Sequence, residues 1–230
     1  MKILLVTSSA RGHAIADALA RSPQQPEIVN ICPGRNPGIR RLSSEQYVTN
    51  IMDFTAVTDI AKQHQPDFAF IGPDDPIGMG LADALAEINI QSVAPKQALA
   101  QIEASKGFTR DLMAKHGIEA SPQYRRFHEV DRDAITAYLD ELNGNYVVKY
   151  DALKGGKGVK VSGEHLTSLD DGIQYAIECI EECGSVVIEE KLVGVEFSLI
   201  SFVSGTQVVH TPAIQDHKRA FEGDTGPNTG

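Results

Sequence analysis

The 230-residue chain is 42% hydrophobic and 23% charged, ordinary for a globular protein with room for one large or two small domains. Its formal net charge of -10 argues against general nucleic-acid binding, which needs a basic face, but leaves a local phosphate site open. Three cysteines form no disulfide framework, and the apolar run Ile3–Val6 is too short for a signal peptide or membrane span. A cytoplasmic protein without membrane contact is expected.

The first half alternates short apolar runs with helical spacing. KILLV (Lys2–Val6) and DFAFIG (Asp67–Gly72) are continuous apolar runs, as strands buried on both faces require, and EIVNI (Glu27–Ile31) is a weaker version. Between them Phe54, Val57 and Ala61 keep helical spacing, as do Leu81, Ala84, Leu85 and Ile88. This rhythm predicts an α/β domain with an open, mostly parallel sheet over residues 1–100. Ligands of such sheets sit beyond the C-terminal strand ends, where TSSARGHA (Thr7–Ala14) and GPDDPIGMG (Gly72–Gly80) fall. TSSARG lacks the GxGxxG spacing, so a dinucleotide fold is poorly supported.

A hinge near Ala94–Ala104 is expected to lead into a mixed α+β region over residues 101–230. Ser105 can cap a helix bearing Phe108 and Leu112, with Gly117 as its stop. A strand (Gln123–Phe127) and a helix (about Val130–Leu142) follow, then YVVKYDALKGGKGVKVS (Tyr146–Ser162), which reads as strand, basic glycine loop, strand. The glycines Gly155, Gly156 and Gly158 allow backbone N–H groups to approach a polyphosphate, and Lys149 and Lys157 add charge. By itself the segment fits a nucleotide site and a surface hairpin with a basic tip equally well. It is not a Walker loop, since no Gly-Lys-Ser/Thr opens a helix. Ser168 with Asp171 resembles a capping box that opens a helix with Ile173, Ala176, Ile177 and Ile180 on one stripe. Cys179 and Cys183 share a face of it and read as structural thiols, with no metal-ligand set in view. Three strand-like runs follow, SVVIEEKL, VEFSLISFV and QVVHTPAI, with a turn at Gly205. QDHKRAFEGDTGPNTG (Gln215–Gly230) reads as a polar loop without helix or strand.

Five segments, IGPDDPIGMGLADAL, ASKGFTRDLMAKHGI, YVVKYDALKGGKGVKV, VVIEEKLVGVEFSLISFV and QDHKRAFEGDTGPNTG, resemble phosphoribosylamine–glycine ligase in content and order across almost the whole chain. The last is the most specific, and NPGI (Asn36–Ile39) is a weaker pointer to the archaeal branch. That family is one of ATP-grasp enzymes and serves purine biosynthesis. The resemblance implies that ATP phosphorylates the carboxylate of glycine and that 5-phosphoribosylamine attacks the acyl phosphate, with Mg²⁺ or Mn²⁺ as cofactor. It assigns Lys106, Lys149 and the loop Gly155, Gly156, Lys157 and Gly158 to the ATP phosphates. Glu189 and Glu190 fall at the hinge where backbone groups read adenine, and Glu196 at the ribose. Lys218, Arg219 and Asp224 are implied in catalysis, Asp216, Pro227, Asn228 and Thr229 near glycine and the amine, and Gly72, Pro73 and Asp74 near the ribose phosphate.

On the residues alone Lys106 is also an ordinary first-turn lysine and Glu189–Glu190 a solvated strand end. His13 and His217 receive no acid–base role. The chain departs from the family where SSARGHA replaces a GGREHA-like loop, with Gly12 in place of an acid, and where Asp74 replaces Glu. Family members continue beyond GPNTG into the metal-binding part of the lobe, so the 230 residues are expected to be an N-terminal portion, inactive alone. The alternatives are another ATP-grasp carboxylate–amine ligase or a non-catalytic nucleotide-binding fragment.

Overall fold

The computed structural model describes residues 1–7, 9–154, 158–215, 217, 219–223 and 225–228, in two compact units, Met1–Lys191 and Leu192–Gly230. The first unit opens with a parallel sheet of β1 (Lys2–Val6), β2 (Glu27–Cys32), β3 (Glu45–Val48), β4 (Phe68–Ile71) and β5 (Ser92–Val93), in the order β3-β2-β1-β4-β5. Both faces are covered, which is why β1 carries no polar alternation. Leu5 and Ile28 pack with Ala16 of α1 (Ala10–Ala20) and Ile39 of α2 (Pro37–Leu42). Leu4, Val6, Val29 and Ile31 turn the other way onto Val57 and Ala61 of α3 (Phe54–His64) and Leu81 and Leu85 of α5 (Leu81–Glu87). Each fully buried Leu or Ile contributes about 1.5–3 kcal/mol relative to exposure.

Strands β3 and β5 were not legible in the sequence. EQYV is half-buried at a sheet edge and SV is two residues long, so neither leaves an apolar run. The six-residue helix α2 is equally unannounced and depends on its cap: the Asn36 carboxamide oxygen accepts from Gly38 and Ile39 at 3.0 and 3.1 Å.

The direction of strand order changes between β1 and β4, and the amide of Gly72 donates to the Val6 carbonyl there at 3.0 Å. Beside this crevice α1 approaches β1 so closely that a Cβ on Gly12 would lie 2.2 Å from Thr7 Oγ1 and 2.3 Å from its Cβ. This close approach leaves no room for a side chain at position 12. Gly12→Ala should destabilise the protein by about 1–3 kcal/mol through overpacking, read as a lower midpoint in denaturant. An unchanged midpoint would show that Thr7 gives way.

The segment expected as a hinge contains α6 (Gln97–Ala104), because after Pro95 the run QALAQIEA consists of good helix formers. It leads through Ser105 into α7 (Lys106–Lys115), whose end places Gly117 at φ +64°. The second sheet is antiparallel, β6-β9-β7-β8, from β6 (Tyr124–Phe127), β7 (Tyr146–Tyr150), β8 (Val159–Val161) and β9 (Val186–Glu190). Helices α8 (Arg132–Glu141) and α9 (Leu169–Cys183) cover one face, burying Ile135, Leu139, Ile173 and Ala176 against Val148, Val186 and Ile188. The expected capping box is present: Ser168 accepts from the Asp171 amide and Asp171 accepts from the Ser168 amide, while Gly184 ends the helix at φ +81°. Cys179 is buried, and burial first, then the neighbouring acidic groups, pushes its thiol up to about 12. It is a core residue.

The second unit contains two hairpins, β10 (Ser201–Ser204) with β11 (Gln207–His210), and β12 (Arg219–Phe221) with β13 (Thr225–Asn228). Gly205 turns the first at φ +59°. The second is a correction: a short hairpin lies within the segment expected as a loop, and its glycines, at φ +72° for Gly223 and +85° for Gly226, shape it. No described residue of this unit is buried, and Val193, Val195 and Phe197 are exposed. Of the run VEFSLISFV, only its last three residues, Ser201 to Val203, enter a strand. Among the described residues no helix is long and apolar enough to cross a membrane.

Candidate active site

Alternation along β7 and β9 builds the site. Tyr146, Val148 and Tyr150 face the helices, as do Val186 and Ile188, so Lys149 and Glu189 share the opposite face. There Lys149 Nζ lies 2.5 Å from Glu189 Oε2, and Arg110 of α7 grips the same carboxylate with Nε at 2.7 Å and Nη2 at 3.1 Å. The Glu189 side chain is only 3% exposed, so it is no solvated strand end. Burial by itself would raise its carboxyl, but the Arg110 hydrogen bonds and the Lys149 charge hold it below the usual carboxylate range.

Two residues beyond Lys149 sits Asp151, whose side chain is fully buried. It accepts from the Gly107 amide at 2.9 Å, Ser105 Oγ at 2.8 Å and Ser185 Oγ at 3.0 Å, and pairs with Arg126 at 2.6 Å. Here too burial pushes upward, and the bonds from Gly107, Ser105 and Ser185 with the Arg126 charge outweigh it, leaving the carboxyl low. Ser105 Oγ also accepts from the Phe108 amide at 3.0 Å, so one hydroxyl caps α7 and ties its first turn to β7. That tie sets Lys106, whose Nζ donates to the Ala152 carbonyl at 3.1 Å, at the root of the glycine loop. Burial, and then the Lys149 charge, lower the Lys106 pKa.

Four cations, Lys106, Lys149, Arg110 and Arg126, thus meet two buried carboxylates, Asp151 and Glu189. Asp111 also pairs with Arg126, and the cations still outnumber the carboxylates they contact, which suits a polyphosphate. Anion binding favours protonated Lys106, so affinity for ATP should be full below its depressed free-state pKa and fall as pH rises through it. Calorimetry in buffers of differing ionisation enthalpy should find proton uptake on the alkaline side, absent in Lys106→Gln. Equal uptake in that variant would exclude Lys106 as its source.

Gly158 closes the loop: its carbonyl accepts from Tyr150 N at 2.8 Å, and a Cβ would lie 2.9 Å from Lys154 Cβ. Gly155, Gly156 and Lys157 lie outside the described residues, as do Asp216, Lys218, Asp224 and Thr229. Glu190 holds the start of β6, accepting from the Gln123 amide at 2.8 Å. Gly72 follows β4, Pro73 precedes α4 (Asp74–Gly78), and Asp74 opens that helix. Glu196, Arg219, Pro227 and Asn228 belong to the second unit, where Arg219 Nη1 donates to the Gly226 carbonyl at 2.9 Å. Within the first unit, Lys106, Lys149 and Glu189 come together.

Arg110, Arg126, Asp151 and Ser185 were missed by sequence reasoning. The signal for two of them was present: Arg110 is one helical turn after Lys106, and Asp151 shares strand parity with Lys149.

The parallel domain followed by a helix-backed antiparallel sheet with a glycine loop defines an ATP-grasp protein. A profile described as "Phosphoribosylglycinamide synthetase, N domain" matches residues 1–103, and one described as "Phosphoribosylglycinamide synthetase, ATP-grasp (A) domain" matches residues 104–230. The chain belongs to the phosphoribosylglycinamide synthetase family. A curated phosphoribosylamine–glycine ligase from Methanococcus vannielii is 44% identical over the whole chain and 53% of its own length. The chain therefore spans about half the length of the curated relatives it matches. The crystal structure of the Thermotoga maritima phosphoribosylamine–glycine ligase superposes with a TM-score of 0.78 at 27% identity, over 100% of this chain and 54% of that one. N5-carboxyaminoimidazole synthetase from Staphylococcus aureus, solved with ADP, shares the fold at a TM-score of 0.69 and 16% identity, over 92% of this chain and 53% of that one.

Proposed function

We propose that this chain carries the ATP-binding and acceptor-binding parts of a phosphoribosylamine–glycine ligase of the cytoplasm, divided functionally into residues 1–100 and 101–230. The observation that supports it best is the cation cluster at the root of the glycine loop, with Lys149 held against Glu189 and Lys106 against Ala152. ATP transfers its γ-phosphoryl group to a carboxylate oxygen of glycine, giving ADP and glycyl phosphate. The amine of 5-phosphoribosylamine then attacks the acyl carbon, phosphate leaves, and glycinamide ribonucleotide forms.

In this reading Lys106 and Lys149 bind the phosphates and neutralise charge as it builds on the transferring oxygens. Gly155, Gly156, Lys157 and Gly158 cover them, Glu189 and Glu190 mark the adenine hinge, and Glu196 meets the ribose. Lys218, Arg219 and Asp224 serve the reacting groups, with Asp216, Pro227, Asn228 and Thr229 around glycine and the amine. Gly72, Pro73 and Asp74 serve the ribose phosphate. Mg²⁺ or Mn²⁺ suits phosphoryl transfer in general. Among the described residues no group of three His, Cys, Asp or Glu side chains gathers to hold a metal ion, and no step is routed through one.

The test is ADP release with glycine and freshly generated phosphoribosylamine, for this chain beside a polypeptide of the relatives' full length. ADP release that requires both substrates supports the ligase. Release indifferent to phosphoribosylamine would instead favour a different acceptor, consistent with the changed residues Gly12 and Asp74.

A further inference from the structure

The loop between β7 and β8 is fixed at its root by successive residues. Asp151 is buried among its partners, the Ala152 carbonyl accepts from Lys106, and Leu153 reaches across to α4. A Cβ on Gly78 of α4 would lie 2.9 Å from Leu153 Cδ1, so the leucine methyl occupies the space a side chain there would fill. The same contact borders a cavity of about 150 Å³ lined by Asp74, Ile77, Gly78, Ala100, Glu103 and Leu153, among others. Asp74 begins the helix that Gly78 ends, and Gly72 and Pro73 lead into it from the crevice beside β1. One leucine therefore bridges two places the fold reserves for ligands: the cation cluster of the antiparallel sheet and the strand-end crevice of the parallel sheet.

We propose that Leu153 is a positioning residue that latches the root of the glycine loop onto Gly78, so that nucleotide and ribose-phosphate binding are coupled through this contact. The inference rests on the proposed placement of ATP and the amine. Each ligand holds one side of the Leu153–Gly78 contact, so the first to bind sets that contact and the second then binds more tightly. Coupling of this kind is reciprocal, so either ligand can report it.

The test is titration calorimetry of the protein with ADP and with ribose 5-phosphate, singly and together. The expected result is that ribose 5-phosphate tightens ADP about fivefold, within the ordinary range of coupling between sites. In Leu153→Ala the factor should fall to one while each ligand alone still binds. Leu153→Met, which keeps the volume, should restore it, and Gly78→Ala should perturb it from the other side of the contact. Coupling undiminished in Leu153→Ala, or absent from the unaltered protein although both ligands bind, overturns the proposal alone. Failure of ADP or of ribose 5-phosphate to bind the unaltered protein overturns it together with the corresponding ligand placement.

Discussion

Replacing Asp151 by alanine is expected to destabilise the first unit by about 3–5 kcal/mol, the cost of removing one partner from a buried ionic network. The side chain has no exposure to water, and its loss strands the Gly107 amide, two serine hydroxyls and the Arg126 guanidinium at once. Arg126 has little to fall back on. Its Nε is buried without a partner among the described residues, and its remaining contact is Asp111 at 3.4 Å. For a chain of this size the loss corresponds to a fall of roughly 10 °C in Tm. Asp151→Asn, which can still accept from Gly107, should fall between the two proteins. The carboxyl's pKa is lowered on folding, so its stabilising contribution is present above the unfolded value near 4. That contribution is lost as pH falls through the lower folded value, and the alanine variant should lack this part of the acid transition. A loss below about 1 kcal/mol would mean that solvent replaces the network.

What the sequence disclosed and what it hid follow from the same physics. Strands β1, β4, β7 and β9 were legible because burial on both faces, or on one face with a functional residue on the other, leaves long apolar runs. Edge strands β3 and β5 carry too little buried surface to leave such a trace. The capping box at Ser168 was legible because both partners lie within one helical turn. The partners of Glu189 were not, because Arg110 is 79 residues away and reaches it only after α7 lies over the sheet. Lys106 and Lys149 could be singled out as cations out of place, one at a helix start and one on an interior strand, and the structure sets Lys106 against the Ala152 carbonyl and Lys149 against Glu189. Asp151, which holds the whole arrangement, looked like the first residue of a loop. Its importance lies in contacts 25 to 46 residues away, which no local pattern encodes.

Lys149→Ala should separate binding from folding. Nucleotide affinity is expected to drop by about 1.5–3 kcal/mol, or roughly 10- to 150-fold, the usual worth of hydrogen bonds to charged groups. Stability should change far less, because Glu189 keeps both bonds from Arg110 when the lysine is gone. Removing the ammonium also leaves the Glu189 carboxylate less compensated on the face that receives the phosphates, which places the expected loss toward the upper end of that range. Lys149→Arg should not restore full affinity, since a planar guanidinium cannot occupy the place of a compact ammonium 2.5 Å from Glu189 without shifting it. Calorimetric titration with ATP, alongside thermal melts of the same samples, distinguishes the roles. Unchanged affinity with a lower Tm would make Lys149 a structural counter-ion to Glu189. Lower affinity with an unchanged Tm would make it a ligand-binding cation held ready by a carboxylate that Arg110 keeps charged.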